Sequence, residues 1–191
     1  MSGPEGILDF WFGPPGSAER DRPREVWFKS DPGYDALLRD SFLADQQRAA
    51  AGEYDIWTNT PEGSVALLLL LDQLPRNLYR GTAQAFATDA RAREIAGITV
   101  PRGFDRLLPP VWRWFVYLPF EHSERLADQE RSLRLLAALP ATPEHDEAKD
   151  YAKRHYDTIK RFGRFPHRNA ILGRESTPEE IEFLKQPGSS F

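Results

Sequence analysis

The sequence predicts an all-α fold, an array of antiparallel helix pairs built as a single domain. Apolar residues recur at the helical period along most of the chain, whereas the alternation typical of strands is hard to find. Proline and glycine clusters separate these segments, and Asp or Thr followed by proline marks helix starts. The connecting segments are too short to act as flexible tethers, so we interpret residues 1–191 as one helical domain.

The first half of the chain predicts four helical segments. Asp31 before Pro32 is typical of an N-cap followed by the first helical residue. Pro75 predicts the end of a later helix because proline cannot donate the hydrogen bond that an interior turn requires. The predicted segments cover residues 6–12, a short helix through Trp27 and Phe28, residues 32–52, and residues 61–74.

The second half predicts five more segments. An aromatic stretch follows Pro109 and Pro110, and its aromatics are too continuous for an exposed face, so Trp112 and Trp114 are interpreted as core residues. Thr177 followed by Pro178 and Glu180 predicts a capping box. The predicted segments are residues 82–96, residues 111–117, a helix that begins at or near Pro119, residues 147–162, and a short terminal helix. The helix near Pro119 is predicted to end at Pro140 or Pro143 and to place Leu126, Leu133, Leu136 and Leu139 in the core.

Composition restricts the classes of function. The 191 residues are 40% hydrophobic, which suffices for one core, and the net charge is -4. No basic stripe accompanies this mild acidic excess, so we expect no general binding to nucleic acid or to anionic membranes. The absence of cysteine excludes disulfides and thiolate chemistry and fits a reducing compartment, with the cytoplasm as the default.

The sequence also predicts neither export nor a membrane span. Its first residues lack the basic start and the long apolar stretch of a signal peptide. Residues 65–71 form the longest apolar run, far below the roughly 20 residues that cross a bilayer.

Three polar clusters are candidates for chemistry. In the first, Asp72, Arg76 and Arg80 follow at four-residue spacing, with Asn77 beside them, and share one face if helix continues past Pro75. The Pro-Arg-Asn motif of this cluster recurs in the third cluster with a histidine inserted after the proline. In either place the asparagine can hydrogen-bond to loop backbone, and the arginine can reach a carboxylate or a phosphate. The third cluster holds Arg164, His167, Arg168 and Asn169, a composition suited to a small anion.

The second cluster is the segment Glu121-His122-Ser123-Glu124. Helical spacing predicts Glu121 and Glu124 on one face, with Asp128 one turn beyond, and this edge could serve acid–base chemistry or face a metal. Consecutive helical residues diverge, so His122, Ser123 and Glu124 do not predict a catalytic triad. No histidine pair at metal-binding spacing appears, and no phosphate-binding glycine loop is present. A purely structural network, in which these charges pair and lock the helices in register, is an equal alternative.

A set of short strings spread over nearly the whole chain is distinctive in combination. These strings are residues 7–13, 27–28, 71–73, 75–77, 80–81, 85–87, 119–124, 161–169, 172–174 and 176–177, with Gln129 and Glu180. With them the chain resembles the bacterial family known as domain of unknown function 924, whose members are placed in the tetratricopeptide-like helical superfamily. The resemblance implies a right-handed superhelix of helix pairs, but it implies no activity and so no catalytic residue. No self-similarity at the 34-residue period accompanies it, and Leu74 stands where an aromatic is usual.

Two hypotheses of function follow. The first is a pocket for a small anionic ligand, a carboxylate or a phosphate, with Glu124 or His122 as general base or acid in hydrolysis or transfer. The second is a scaffold that binds a peptide or a protein partner and uses the polar motifs as internal struts. Neither hypothesis specifies a cofactor, a metal or an oligomeric state. The ligand-binding candidates are Asp72, Arg76, Asn77, Arg80, Glu121, Arg164, His167, Arg168 and Asn169.

Overall fold

A computed structural model describes residues 3–190, and every regular element in that span is helical. The all-α prediction is confirmed. Short 3-10 helices occur between several of the α-helices. The α-helices are α1 (Glu5–Phe12), α2 (Pro32–Ala50), α3 (Pro61–Leu68), α4 (Leu74–Leu78), α5 (Asp89–Thr99), α6 (Pro110–Glu121), α7 (Leu126–Ala137), α8 (Pro143–Phe162) and α9 (Pro178–Leu184).

Internal contacts divide the chain into two compact units. The N-terminal unit comprises the residues up to Arg80 together with Gln84–Pro119, and the C-terminal unit comprises Gly81–Ala83 and the residues from Phe120 onward. In the C-terminal unit, α7 packs along α8. The single domain and the right-handed superhelix stay predictions. None of the helices described within residues 3–190 is long and apolar enough to cross a bilayer.

The core of the N-terminal unit is a leucine-rich helix surrounded by aromatic rings. Residues 65–71 are fully buried. Phe12 stacks on Trp112 with ring centroids 4.2 Å apart, and Trp11 lies parallel to Trp27 at 6.1 Å. Trp112 and Trp114 are buried, as their place in the aromatic stretch predicts. Burial of this apolar surface is the main stabilising contribution of the unit.

Side-chain caps begin α2, α3, α8 and α9, and in α3 the Thr60 hydroxyl accepts the Gly63 N–H. Asp31 Oδ1 accepts hydrogen bonds from two backbone N–H groups at the start of α2, and Thr177 and Glu180 form the predicted capping box of α9. Thr142 caps α8 and Pro143 is its first residue. The predicted start of that helix at residue 147 is therefore wrong, because a proline in the first turn begins a helix as readily as it ends the one before.

The predicted helix end at Pro75 is also wrong. After α3 the helix widens into one π-helical turn, Leu69–Gln73, and continues as α4 to Leu78. Pro75 has no N–H for the carbonyl oxygen of Leu71, and the hydroxyl of Thr88 donates to it instead at 2.5 Å. The Arg76 guanidinium donates to the carbonyl oxygen of Asp72 at 2.6 Å. The Thr88 hydroxyl thus replaces the donor that Pro75 lacks, and the helix continues past its proline.

Helix α6 likewise contains its proline instead of starting at it. Pro119 lies inside α6, which ends at Glu121, and the chain then turns toward α7. The prediction that Glu121, Glu124 and Asp128 share a helical face is therefore wrong. The Gln129 amide explains the turn, because its Nε2 donates to the carbonyl oxygens of Glu121 at 2.5 Å and Ser123 at 2.7 Å.

Smaller differences concern helix extent. The segment predicted at residues 82–96 divides into a 3-10 helix, Ala83–Phe86, and α5. Leu126 was expected in the core but is 42% exposed, because it begins α7 and lies beyond the packed part of that helix, while Leu136 and Leu139 are buried.

Candidate functional site

The structure distributes the candidate residues over both units. Asp72, Arg76, Asn77 and Arg80 belong to the N-terminal unit. The C-terminal unit holds the remaining candidates, which are Glu121, His122, Glu124, Arg164, His167, Arg168 and Asn169.

In the N-terminal unit, Asp72 lies on the π-helical turn and is buried. Gln73 Nε2 donates to its Oδ2 at 2.6 Å, and Arg76 Nη1 lies 3.4 Å from its Oδ1. The Arg76 guanidinium also makes a bidentate pair with Asp89, at 2.9 and 3.1 Å. Burial lowers the pKa of Arg76, but the two carboxylates outweigh it and raise the pKa above its usual value. This arginine is held inside the unit by two aspartates.

The other two residues of the first cluster converge on Asp35 of α2. Asn77 Nδ2 donates to Asp35 at 2.8 Å, and Arg80 donates through Nε and Nη2 at 2.9 and 3.0 Å. Burial raises the pKa of Asp35, but the hydrogen bonds from Arg80 and Asn77 outweigh it and lower the pKa. The sequence offers no signal for either acidic partner, since Asp35 and Asp89 resemble ordinary first-turn acids of their helices.

In the C-terminal unit, the central pair joins Glu121 to His155, which the candidate list lacks. Glu121 Oε1 lies 3.2 Å from His155 Nδ1, and the same nitrogen lies 2.9 Å from the carbonyl oxygen of Tyr151. Both side chains are buried. Two oxygen acceptors at Nδ1 assign the proton to that nitrogen, which leaves the lone pair of the neutral ring on Nε2.

Two histidines and an arginine lie around His155. The His122 ring lies 6.1 Å from the His155 ring, and Phe165 links His155 to two further side chains. The Phe165 ring lies 5.6 Å from the His167 ring and 4.5 Å from the Arg168 guanidinium carbon above its face. Burial, and then the charges of His122, Arg168 and His167, lower the pKa of His155 well below its usual value. We call His122, His155, His167 and Arg168 the histidine cluster.

Glu124 orders the backbone beside this cluster. Its Oε1 accepts the Phe165 N–H at 2.8 Å, and Arg174 donates to both carboxylate oxygens, at 2.8 and 3.0 Å. Burial raises the pKa of Glu124, but the hydrogen bonds from Arg174 and Phe165 outweigh it and lower the pKa. Glu124 is thus maintained as an anion that holds Phe165, and through Phe165 the cluster, in place.

Arg164 and Asn169 bind Glu180 at the start of α9. Arg164 Nε and Nη2 donate to its two oxygens at 2.6 and 2.8 Å, and Asn169 Nδ2 lies 3.3 Å from Oε2. The Arg164 hydrogen bond is the largest influence on Glu180, and the pKa of this carboxyl is lowered to about 2. These two candidates therefore anchor the last helix.

Two cavities of the described residues lie apart from the candidate residues. A cavity of about 220 Å³ in the N-terminal unit and one of about 200 Å³ in the C-terminal unit have no candidate residue in their linings. In residues 3–190, no three His, Asp or Glu side chains are placed to hold a metal ion. His122 and His167 are half-buried, so the histidine cluster meets solvent through these two rings.

Comparison with known proteins places the chain in a family. The model of a family described as bacterial protein of unknown function, DUF924, matches residues 7–188. The chain belongs to DUF924. A solved structure of a protein of unknown function from Agrobacterium tumefaciens is 44% identical, with a TM-score of 0.78 over 83% of this chain and 88% of that chain. No curated protein matches the chain.

The DUF924 match covers every candidate residue and both units.

His155 is the member of the cluster that the sequence analysis missed. It lies on the buried stripe of α8 with Ala152 and Ile159, where a polar residue stands at an apolar position of the helical period. A histidine at an apolar position of the helical period is the sequence signal by which His155 could have been found in this DUF924 chain.

Proposed function

We propose that the C-terminal unit binds a small anion, a carboxylate or a phosphate, at the histidine cluster. The observation that carries the proposal is the gathering of two imidazoles and one guanidinium around Phe165, with the His122 ring as a third imidazole beside His155. Groups that repel one another when charged are costly to hold together, and an anion bound between them relieves the repulsion. Such clusters are therefore typical of anion sites.

Each member of the cluster has a role suited to its chemistry. Arg168 supplies a permanent positive charge and several N–H donors for a carboxylate or a phosphate. His122 and His167, which meet solvent, donate hydrogen bonds and gain charge as the anion binds. Glu124 acts on the ligand through the Phe165 backbone and positions the cluster.

The proposal includes acid–base chemistry at His155. Glu121 and the Tyr151 carbonyl orient its ring through Nδ1, and the lowered pKa keeps the ring neutral near pH 7. A neutral imidazole whose lone pair lies on Nε2, with a carboxylate at Nδ1, is the arrangement of a general base. The reaction class that this supports is hydrolysis or transfer of a group next to the bound anion, with His122 beside the base as the second proton carrier.

The four histidines of the chain allow a direct test of binding. We would titrate inorganic phosphate, and separately acetate, into protein labelled with ¹⁵N at histidine and follow the ring nitrogens by NMR. His122, His155 and His167 should shift along one saturable curve. His145, which contacts Thr142 and the Pro140 carbonyl at the start of α8, is the internal control and should stay in place. The absence of saturable shifts in the three cluster rings with both anions would refute the proposal.

Two arginine variants separate the site from general electrostatics. Arg168→Gln should abolish the saturable shifts, because it removes the only permanent cation of the cluster. Arg161→Gln removes the same charge from an exposed position that pairs with Glu179, and binding should persist. Equal loss in both variants would mean that net charge, not the cluster, attracts the anion.

A further inference from the structure

The N-terminal unit contains a cavity of about 220 Å³ whose lining has no part in the proposed anion site. Helices α1 and α2, the 3-10 helix Asp55–Asn59 and the π-helical turn contribute to its lining. The cavity has room for a small organic ion and not merely a single water molecule. The lining residues that decide its chemistry are Gly6, Ser41, Phe42, Asp45 and Trp57.

Asp45 gives this cavity a negative charge. It is the one ionisable side chain among the described residues of the lining. Its Oδ1 accepts the hydroxyl of Tyr54, while Oδ2 receives no hydrogen bond from residues 3–190. Burial, together with the bond to Asp45, raises the pKa of Tyr54 to about 12, so the phenol stays protonated and continues to donate. One carboxylate oxygen therefore remains for a ligand.

Aromatic rings complete the lining. Trp57 stacks on Tyr54 with centroids 4.3 Å apart and planes 6° from parallel, and Phe42 packs edge-on against Phe10 at 5.1 Å. Arg48 lies over the Tyr54 ring at 4.8 Å. Trp57 and Arg48 thus both contact the Tyr54 ring, and Arg48 also lies within electrostatic reach of Asp45.

We infer that this cavity binds a small alkylammonium ion, with Asp45 Oδ2 as its counter-ion and Trp57 and Phe42 against its methyl or methylene groups. A carboxylate beside aromatic rings is the combination that recognises amines and methylated ammonium groups. The negative charge of Asp45 would repel an anion. A divalent metal would find one carboxylate and one hydroxyl, fewer oxygen ligands than Ca²⁺ or Mg²⁺ requires.

Tetramethylammonium chloride is the first probe, followed by methylammonium chloride. We would add each to the full chain and follow backbone amide shifts and tryptophan fluorescence, with sodium chloride at equal ionic strength as the reference. Saturable shifts should centre on the residues that line the cavity. tert-Butanol has nearly the same shape without the charge, and it should bind roughly tenfold more weakly or not at all.

Asp45→Asn tests the counter-ion while leaving an oxygen for the Tyr54 hydroxyl. It should weaken tetramethylammonium binding by roughly tenfold or more, whereas Asp40→Asn, an exposed site on the same helix, should leave binding unchanged. Unchanged affinity in Asp45→Asn, or equal binding of tert-butanol, would overturn the inference.

A second variant tests the cavity without touching the charge. An added Cβ at Gly6 meets no atom within 4 Å, so Gly6→Leu places a side chain in open space and improves the helix propensity of α1. Its melting temperature should equal or exceed that of the wild type, while tetramethylammonium no longer binds. A folded Gly6→Leu protein that binds as tightly as the wild type would show that the ion sits elsewhere.

Discussion

At the scale of single residues, two carboxylates of the C-terminal unit are each satisfied by several donors. Glu180 accepts hydrogen bonds from Arg164, the Thr177 backbone and Asn169, and Glu124 accepts them from Arg174 and Phe165. Burying a charge is costly unless such partners replace water. These carboxylates therefore stabilise the fold only while they are ionised.

Glu180 makes this dependence measurable. Its pKa falls from 4.5 to about 2 on folding, so its stabilisation is complete above about pH 4.5 and is lost as the pH falls toward 2. Glu180→Gln should lower the unfolding free energy by roughly 2 kcal/mol at pH 7 and by less at pH 3. Urea denaturation at the two pH values measures this difference. The neighbouring Glu179→Gln, at an exposed pair, is the control, and the same loss in both variants would contradict the argument.

The contribution of His155 is also lost as the pH falls, but in a higher pH range than that of Glu180. Its pKa in the fold lies well below 6.5, so the unfolded chain binds the proton first. Stability is therefore complete above about pH 6.5 and declines as the pH falls below it. His155→Gln should remove part of this decline between pH 7.5 and pH 5.5, measured by urea denaturation. His145→Gln serves as the control on the same helix, and a decline that persists unchanged in His155→Gln would assign the titration to other groups.

At the scale of elements, the two helices that contain internal prolines show where local sequence rules lose to tertiary contacts. Pro75 was assigned to a helix end because it removes a backbone donor, and Pro119 was assigned to the start of the next helix. The structure supplies the missing donor for Leu71 from Thr88, seventeen residues away in sequence, and no local pattern predicts that contact. The caps at Asp31 and Thr177 were predictable because donor and acceptor lie within three residues of each other.

Thr88 can be tested as the replacement donor. Thr88→Val leaves the carbonyl oxygen of Leu71 buried without its hydroxyl donor and should cost about 1–2 kcal/mol of unfolding free energy. Pro75→Ala restores a backbone N–H next to the same oxygen. In a double-mutant cycle measured by urea denaturation, the cost of Thr88→Val should therefore shrink in the Pro75→Ala background. Strict additivity of the two changes would show that the Thr88 hydroxyl does not replace the missing donor.

At the scale of the whole molecule, the helical fold and the DUF924 membership were predictable, whereas the site was predictable only in part. Periodicity and turn residues are local, so they indicated most helices. The histidine cluster depends on His122 and His155, which are 33 residues apart in sequence and meet through packing. His167 and Arg168 were identified by composition, but the acidic partners of Arg76, Arg80 and Arg164 could not be inferred, because any surface carboxylate fits the same sequence pattern.

Anion binding at the histidine cluster should also appear in the stability of the whole chain. A ligand that binds only the folded state raises the unfolding free energy by about 2.7 kcal/mol at a hundredfold excess over its dissociation constant. Sulfate keeps its charge between pH 6 and pH 8, whereas imidazoles gain protons at the lower pH. Stabilisation by sulfate should therefore be larger at pH 6 than at pH 8 in the wild type.

The Arg168→Gln variant separates site binding from the general effect of the salt. Sulfate stabilises most proteins by exclusion from their surface, and that contribution should persist in the variant. The difference between wild type and Arg168→Gln, measured by urea denaturation with sodium chloride at equal ionic strength as the reference, isolates the bound anion. A difference that grows as the pH falls from 8 to 6 means that imidazoles share the anion with Arg168. A difference that stays constant means that the histidines take no part in binding it.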